Sequence, residues 1–163
     1  MTKRLLHNAQ VIDPQAGTIT RAEIRIENGL ITQVSQSPLS ANPNEHSVDC
    51  HNKYLTPGII DIGVKVCEPG ERHKESFKSA GLAAAAGGIT TMVTRPDTTP
   101  AIDSPETLEF IARRANQATP VNVIPMAALT KGRNGREMSE IGFLMDAGAI
   151  AFTDCDHVVS NPK

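Results

Sequence analysis

Apolar and polar positions follow two different periods along this chain. Up to about residue 54 they alternate in short runs. Leu5 to Ile12 reads as a strand that ends at Asp13-Pro14. From Ala22 to Val34, Ile24 and Ile26 alternate with Arg25 and Glu27, and Leu30 to Val34 returns, so the segment reads as a hairpin. Asn28-Gly29 between its arms accepts the positive φ angles of a tight turn. Ser35 to Glu45, rich in Ser, Pro and Asn, reads as a loop, and Ser47 to Cys50 as a further short strand.

From Leu55 onward strands alternate with helices, which predicts an α/β arrangement. Ile59 to Val66 is the first apolar run. Phe77, Ala80, Gly81 and Ala84 then fall at i, i+3, i+4 and i+7 and predict one buried helix face, ended by Gly87-Gly88. The small residues Ala83 to Ala86 are expected to let that helix lie close to the sheet. Ile89 to Thr94 is a β-branched second strand. Ser104 is an N-cap with Pro105 in the first turn, and Leu108, Ile111, Ala112 and Ala115 line the next helix's inner face. Val121 to Met126 reads as a third strand. Met138, Ile141 and Leu144 or Met145 mark a further helix stopped near Gly148, and Ala149 to Thr153 reads as a fourth strand. The boundaries expected are a β module over 1–54 and an α/β part over 55–163.

Composition narrows the function classes. A net charge of -2 and 3% aromatic residues give no reason to expect nucleic acid or an anionic membrane as partner. No run reaches the roughly 18 apolar residues of a membrane span, and the N-terminus lacks the apolar core of a signal peptide. Cys50, Cys67 and Cys155, odd in number and widely spaced, fit free thiols in a reducing cytoplasm.

The chemistry is expected in the loop after the first α/β strand, where βα units keep their functional groups. The stretch from Thr56-Pro57-Gly58 through Ile60-Asp61 to Glu68-Pro69-Gly70 closely resembles the opening of the barrel in class I dihydroorotases of the amidohydrolase superfamily, whose pattern runs roughly PGxIDxHxHxREPG. Thr90 to Pro100 resembles a second family motif. Pro125, Ala128-Leu129-Thr130, Gly132, Gly135, Glu140 and Ala147 to Asp154 resemble a third. The resemblance implies a (β/α)₈ barrel preceded by part of a β-sandwich, zinc as the family's metal, and a place in pyrimidine biosynthesis. A complete barrel of this kind takes about 250 residues, so the chain is expected to be a fragment: a cleavage product ending at Lys163, a truncated form, or one of two chains that complete the barrel together.

The residues that carry the family's chemistry are replaced. Two histidines on alternate strand residues point to one side and hold a metal. Gly63 and Lys65 stand at those positions: one has no side chain, the other is a cation that Zn²⁺ repels. Cys67 stands at the arginine that grips the substrate carboxylate, which a thiol cannot do in bidentate fashion. Asp97 replaces a substrate-binding asparagine, and Arg95 beside it reads as its partner or as half of a surface ion pair. Asp154 matches the family's metal-bridging carboxylate, but Cys155-Asp156-His157 departs from the usual run, and a set of Asp154, Cys155 and His157 has no recognised ligand spacing. Asp61 is kept and reads as structural. No intact catalytic set is expected.

Three readings follow. The first is an inactive dihydroorotase homologue with a structural role beside aspartate transcarbamoylase, as the resemblance implies for non-catalytic members. The second is an active metal-dependent cyclic amidohydrolase with altered ligands. The third is an anion-binding protein that uses Lys65 and Arg95.

Overall fold

A computed structural model describes residues 2–160; the terminal Lys163 invoked for a cleavage product lies outside them. The chain divides into two compact units, Met1–Pro57 and Gly58–Lys163.

The first unit is a five-stranded mixed sheet. Strands β1 (Lys3–Asp13), β2 (Thr18–Glu27) and β3 (Leu30–Ser35) run antiparallel, while β4 (His46–Asp49) and β5 (Tyr54–Leu55) both pair with β1 in parallel. The β2–β3 turn is the one predicted: Asn28 and Gly29 take φ of 52° and 81°, the mirror-image turn that matches strand twist. β1 carries an extra residue between Leu6 and Ala9, where Asn8 sits at φ 57°. The Asn8 side chain accepts from Arg21 Nη2 at 2.7 Å and donates to Asp49 Oδ1 at 3.1 Å, tying the bulge to both neighbouring strands. Arg25 forks onto the fully enclosed Glu45 carboxylate at 2.8 and 3.3 Å, anchoring the long loop before β4. The Arg25 hydrogen bond is the main reason the Glu45 carboxyl lies below its ordinary range.

The second unit is a three-stranded parallel sheet in the order β6 (Ile59–Val64), β7 (Ile89–Thr94), β8 (Asn122–Pro125). Helix α1 (Phe77–Ala86) connects β6 to β7, α2 (Pro105–Ala118) connects β7 to β8, and α3 (Ile141–Asp146) follows. α1 starts at a reciprocal cap in which Ser76 and Ser79 each bond the other's backbone N–H, and Gly88, at φ 79°, turns the chain out of it. Its buried face is Phe77, Ala80, Gly81 and Ala84, as the spacing predicts. Ala83, Ala85 and Ala86 are exposed, so the close approach comes from that face and not from the whole alanine run. Gly81 supplies part of it, since a Cβ there would strike the side chain of Thr119. α2 begins at the Ser104 cap with Pro105 in its first turn; Leu108, Ile111 and Ala115 are buried, Ala112 only partly. These side chains join Met92, Ile102, Ala127 and Leu144 in one core. On β6, Ile59, Ile60 and Ile62 remain exposed, Ile62 at 72%.

Two expectations fail locally. Ala149 to Thr153 forms no strand: only Phe152 bridges to Ala127, through Ala127 N–H to Ala151 O and Thr153 N–H to Ala127 O, both 3.0 Å. The next rung of a parallel ladder would need a donor at position 125, and Pro125 has none. Met138 does not open α3. It pairs with Thr130 in an antiparallel bridge and is exposed, because Ser139 N–H is committed to Leu129 O and Lys131 N–H to Glu137 O. The helix therefore begins at Ile141, with Leu144 buried and Met145 exposed.

Candidate functional site

Gly63, Lys65, Arg95 and Asp97 lie at the C-terminal ends of β6 and β7. β6 contains a bulge: Ile62 pairs with Val93 and Val64 with Thr94, which leaves Gly63 as an extra residue at φ 92°. Lys65 and Cys67 follow it. Arg95 leaves the end of β7 with its N–H on Val64 O at 2.9 Å, and Asp97 comes two residues later. Gly63, Arg95, Met126, Thr153, Cys155 and Asp156 line a cavity of about 420 Å³.

Beside it sits a three-charge cluster. Arg95 Nη2 and Lys65 Nζ approach the same oxygen of Asp97, Oδ2, at 2.8 and 3.1 Å. The Asp97 side chain is 3% exposed, so this is no surface ion pair. Asp97 Oδ1 and Arg95 Nε are also buried, without a hydrogen-bond partner among the described residues. The hydrogen bond to Asp97, reinforced by its charge, holds the Lys65 ammonium above its ordinary pKa. Burial pulls the Arg95 guanidinium down, yet the Cys155 contact and the Asp97 charge outweigh it and leave a net upward shift. Lys65 is therefore a cation already committed to a partner.

The remaining candidates are spread out. Asp154 is buried, and Thr130 takes both of its oxygens: the backbone N–H binds Oδ1 at 3.0 Å and the hydroxyl binds Oδ2 at 2.5 Å. Thr130 Oγ1 in turn accepts from Gly135 N–H at 2.8 Å, so the carboxylate organises the loop over 130–135. His157 turns its ring to Arg133 O at 2.6 Å, and Asp156 pairs with Arg133 at 2.7 Å. The set of Asp154, Cys155 and His157 is thus not assembled around one point. Cys67 is a half-buried free thiol outside the cavity lining. Asp61 is exposed and makes no side-chain hydrogen bond or ion pair among the described residues.

Sequence reasoning missed the role of Glu68. Its buried carboxylate accepts Phe77 N–H at 3.0 Å at the start of α1 and Arg114 Nε at 2.7 Å from α2. The signal available was an acidic residue in the loop that leads into a small-residue helix, whose N-terminus favours negative charge. Met126 and Thr153, which face the cavity, carry no signal in the sequence.

A zinc ion does not fit the donors present here. Gly63 offers no side chain, Lys65 is a cation, and both Asp154 oxygens are engaged by Thr130. Among the described residues no group of three or more His, Cys, Asp or Glu side chains is close enough to hold a metal.

Comparison with known proteins places these residues in a family. A family model described as "Dihydro-orotase-like" matches residues 52–161. A dihydroorotase from Sulfurihydrogenibium sp. (strain YO3AOP1) is 37% identical over 150 residues, covering 92% of this chain and 35% of the relative. A dihydroorotase from Geobacillus kaustophilus (strain HTA426) is 41% identical over 139 residues, covering 85% of this chain and 32% of the relative. The chain thus spans about a third of the length of the curated relatives it matches. Among solved structures, L-hydantoinase (dihydropyrimidinase) from Arthrobacter aurescens superposes with a TM-score of 0.81 at 23% identity, over 93% of this chain and 32% of its own. A crystal structure of a dihydroorotase gives a TM-score of 0.57 at 11% identity, over 93% of this chain and 42% of its own. These two likenesses speak to the fold alone. By the family match over most of its length, the chain belongs to the dihydroorotase-like family.

Proposed function

We propose that this chain is part of a catalytically inactive dihydroorotase-like protein of pyrimidine biosynthesis, with a structural role beside aspartate transcarbamoylase in the cytoplasm. Its three parallel strands and their helices are read as the first part of a (β/α)₈ barrel, completed by further residues or by a second polypeptide. Curated relatives named dihydroorotase support the family role. One observation carries the inactivity: the two positions that resemble the metal-binding histidines are a glycine at φ 92° and a lysine ion-paired to Asp97 at 3.1 Å. A side chain restored at position 63 would meet a backbone conformation that L residues rarely adopt.

The test is metal analysis on the native full-length protein, with dihydroorotase assays in both directions. No turnover and no stoichiometric zinc is the expected result. About one or two zinc ions per chain together with turnover would overturn the inactivity and establish replacement ligands. Co-purification with aspartate transcarbamoylase is the expected result for the structural role, and its absence at native expression levels would remove that role.

A further inference from the structure

Lys65 and Arg95 converge on one oxygen of Asp97 beside an open cavity, and that convergence has a consequence for ligands. Arg95 lines the cavity, as does Asp156, whose carboxylate is paired with Arg133; Lys65 and Asp97 are outside the lining, and Asp97 is buried. Within the Lys65–Arg95–Asp97 cluster two cations and one carboxylate leave a single net positive charge, and both cations are turned onto the internal carboxylate. Arg95 and Asp97 are two residues apart, so this carboxylate never diffuses away. An anion in solution has to compete with it on those terms. It also has to leave the displaced Asp97 charge buried without its cations, which is strongly unfavourable.

We propose that Asp97 is a built-in anion: its carboxylate occupies Lys65 and Arg95 and so closes the cavity to small carboxylate ligands. The inference deepens the reading of the site as non-catalytic and rests on it. It adds that one residue actively excludes the anionic ligand class, over and above the absence of metal ligands at 63 and 65. Asp97→Asn keeps the shape and an acceptor oxygen while removing the charge, leaving Arg95 in the cavity lining and Lys65 next to it with no counter-charge between them.

The test is titration of the full-length protein with succinate at low ionic strength, followed by calorimetry, with succinamide as the neutral control. Wild-type protein is expected to show no saturable binding up to about 10 mM, because the internal carboxylate outcompetes millimolar ligand. D97N is expected to bind succinate at least about tenfold more tightly than wild type, with no gain for succinamide. Adding Lys65→Gln to D97N is expected to remove most of that gain. Saturable millimolar binding by wild type, or a folded D97N that binds no better than wild type, overturns the proposal. Should D97N fail to fold, wild type alone decides. Its Lys65 ammonium, followed by NMR of the side-chain carbon, is expected to titrate above the ordinary lysine value, and titration at or below that value overturns the pairing. Turnover assays judge the inactive reading separately, since they move independently of succinate binding.

Discussion

Arg114 Nε donates to Glu68 Oε1 at 2.7 Å across 46 residues of sequence, and the other oxygen of the same carboxylate receives the first N–H of α1. One buried side chain thereby fixes the loop after β6, the start of α1 and the middle of α2. Burial by itself would raise the Glu68 carboxyl, but the Arg114 hydrogen bond and the Phe77 N–H outweigh it and bring it below its ordinary value of 4.5. A carboxyl lowered in the folded state stabilises the fold fully above the unfolded value, and that stabilisation is lost as pH falls through the folded value. Glu68→Ala is expected to lower stability by about 2 kcal/mol at neutral pH, the range of hydrogen bonds to a charged group. Urea denaturation of wild type and variant at neutral pH and in the acid limb checks this. The difference should shrink as the pH drops below 4.5.

Gly63 sits at φ 92° in the β6 bulge, and among the described residues no atom outside its chain neighbours lies within 4 Å of where a side-chain carbon would stand. Space is therefore no obstacle to Gly63→Ala; backbone conformation is. The substitution is expected to destabilise by about 1–3 kcal/mol, the cost of holding an L residue in a sparsely populated region. Thermal unfolding reads it directly. A neutral or stabilising result would mean that the bulge relaxes to an ordinary strand, and the position would then accept a histidine side chain.

Thr130 spends its hydroxyl twice, donating to Asp154 Oδ2 and accepting from Gly135 N–H. Thr130→Val keeps the shape, removes both bonds and leaves the Asp154 carboxylate buried with one donor fewer. The expected loss is about 2 kcal/mol, because a buried charged acceptor is left short of a partner. Faster hydrogen exchange at the Gly135 amide is expected as well. An unchanged rate there would show that Asp154 does not hold this loop.

Much of the fold was legible because it is local. The α1 face of Phe77, Ala80, Gly81 and Ala84, the Ser104 cap and the Asn28-Gly29 turn depend on residues a few positions apart, where periodicity and backbone preference act without outside help. The failures arise where distant partners compete for backbone groups. Met138 has helical spacing, but the bridge to Thr130 claims the neighbouring donors before a helix can start. Ala149 to Thr153 is apolar enough for a strand, but its neighbour offers a proline where a donor is required.

The candidate site divides in the same way. Sequence by itself determined which residue types are present: no histidine at 63 or 65, no arginine at 67, a carboxylate at 97, and Arg95 close enough to meet it. Only the tertiary structure decided what they do. It gave Gly63 a bulge, brought Lys65 onto the oxygen that Arg95 already holds, committed Asp154 to Thr130, and made Glu68 a brace between two helices. The identity of a side chain sets the charge and the hydrogen bonds it is able to make. Which of those bonds form depends on folding bringing a partner within about 3 Å, and that distance is set by packing far from either residue in sequence.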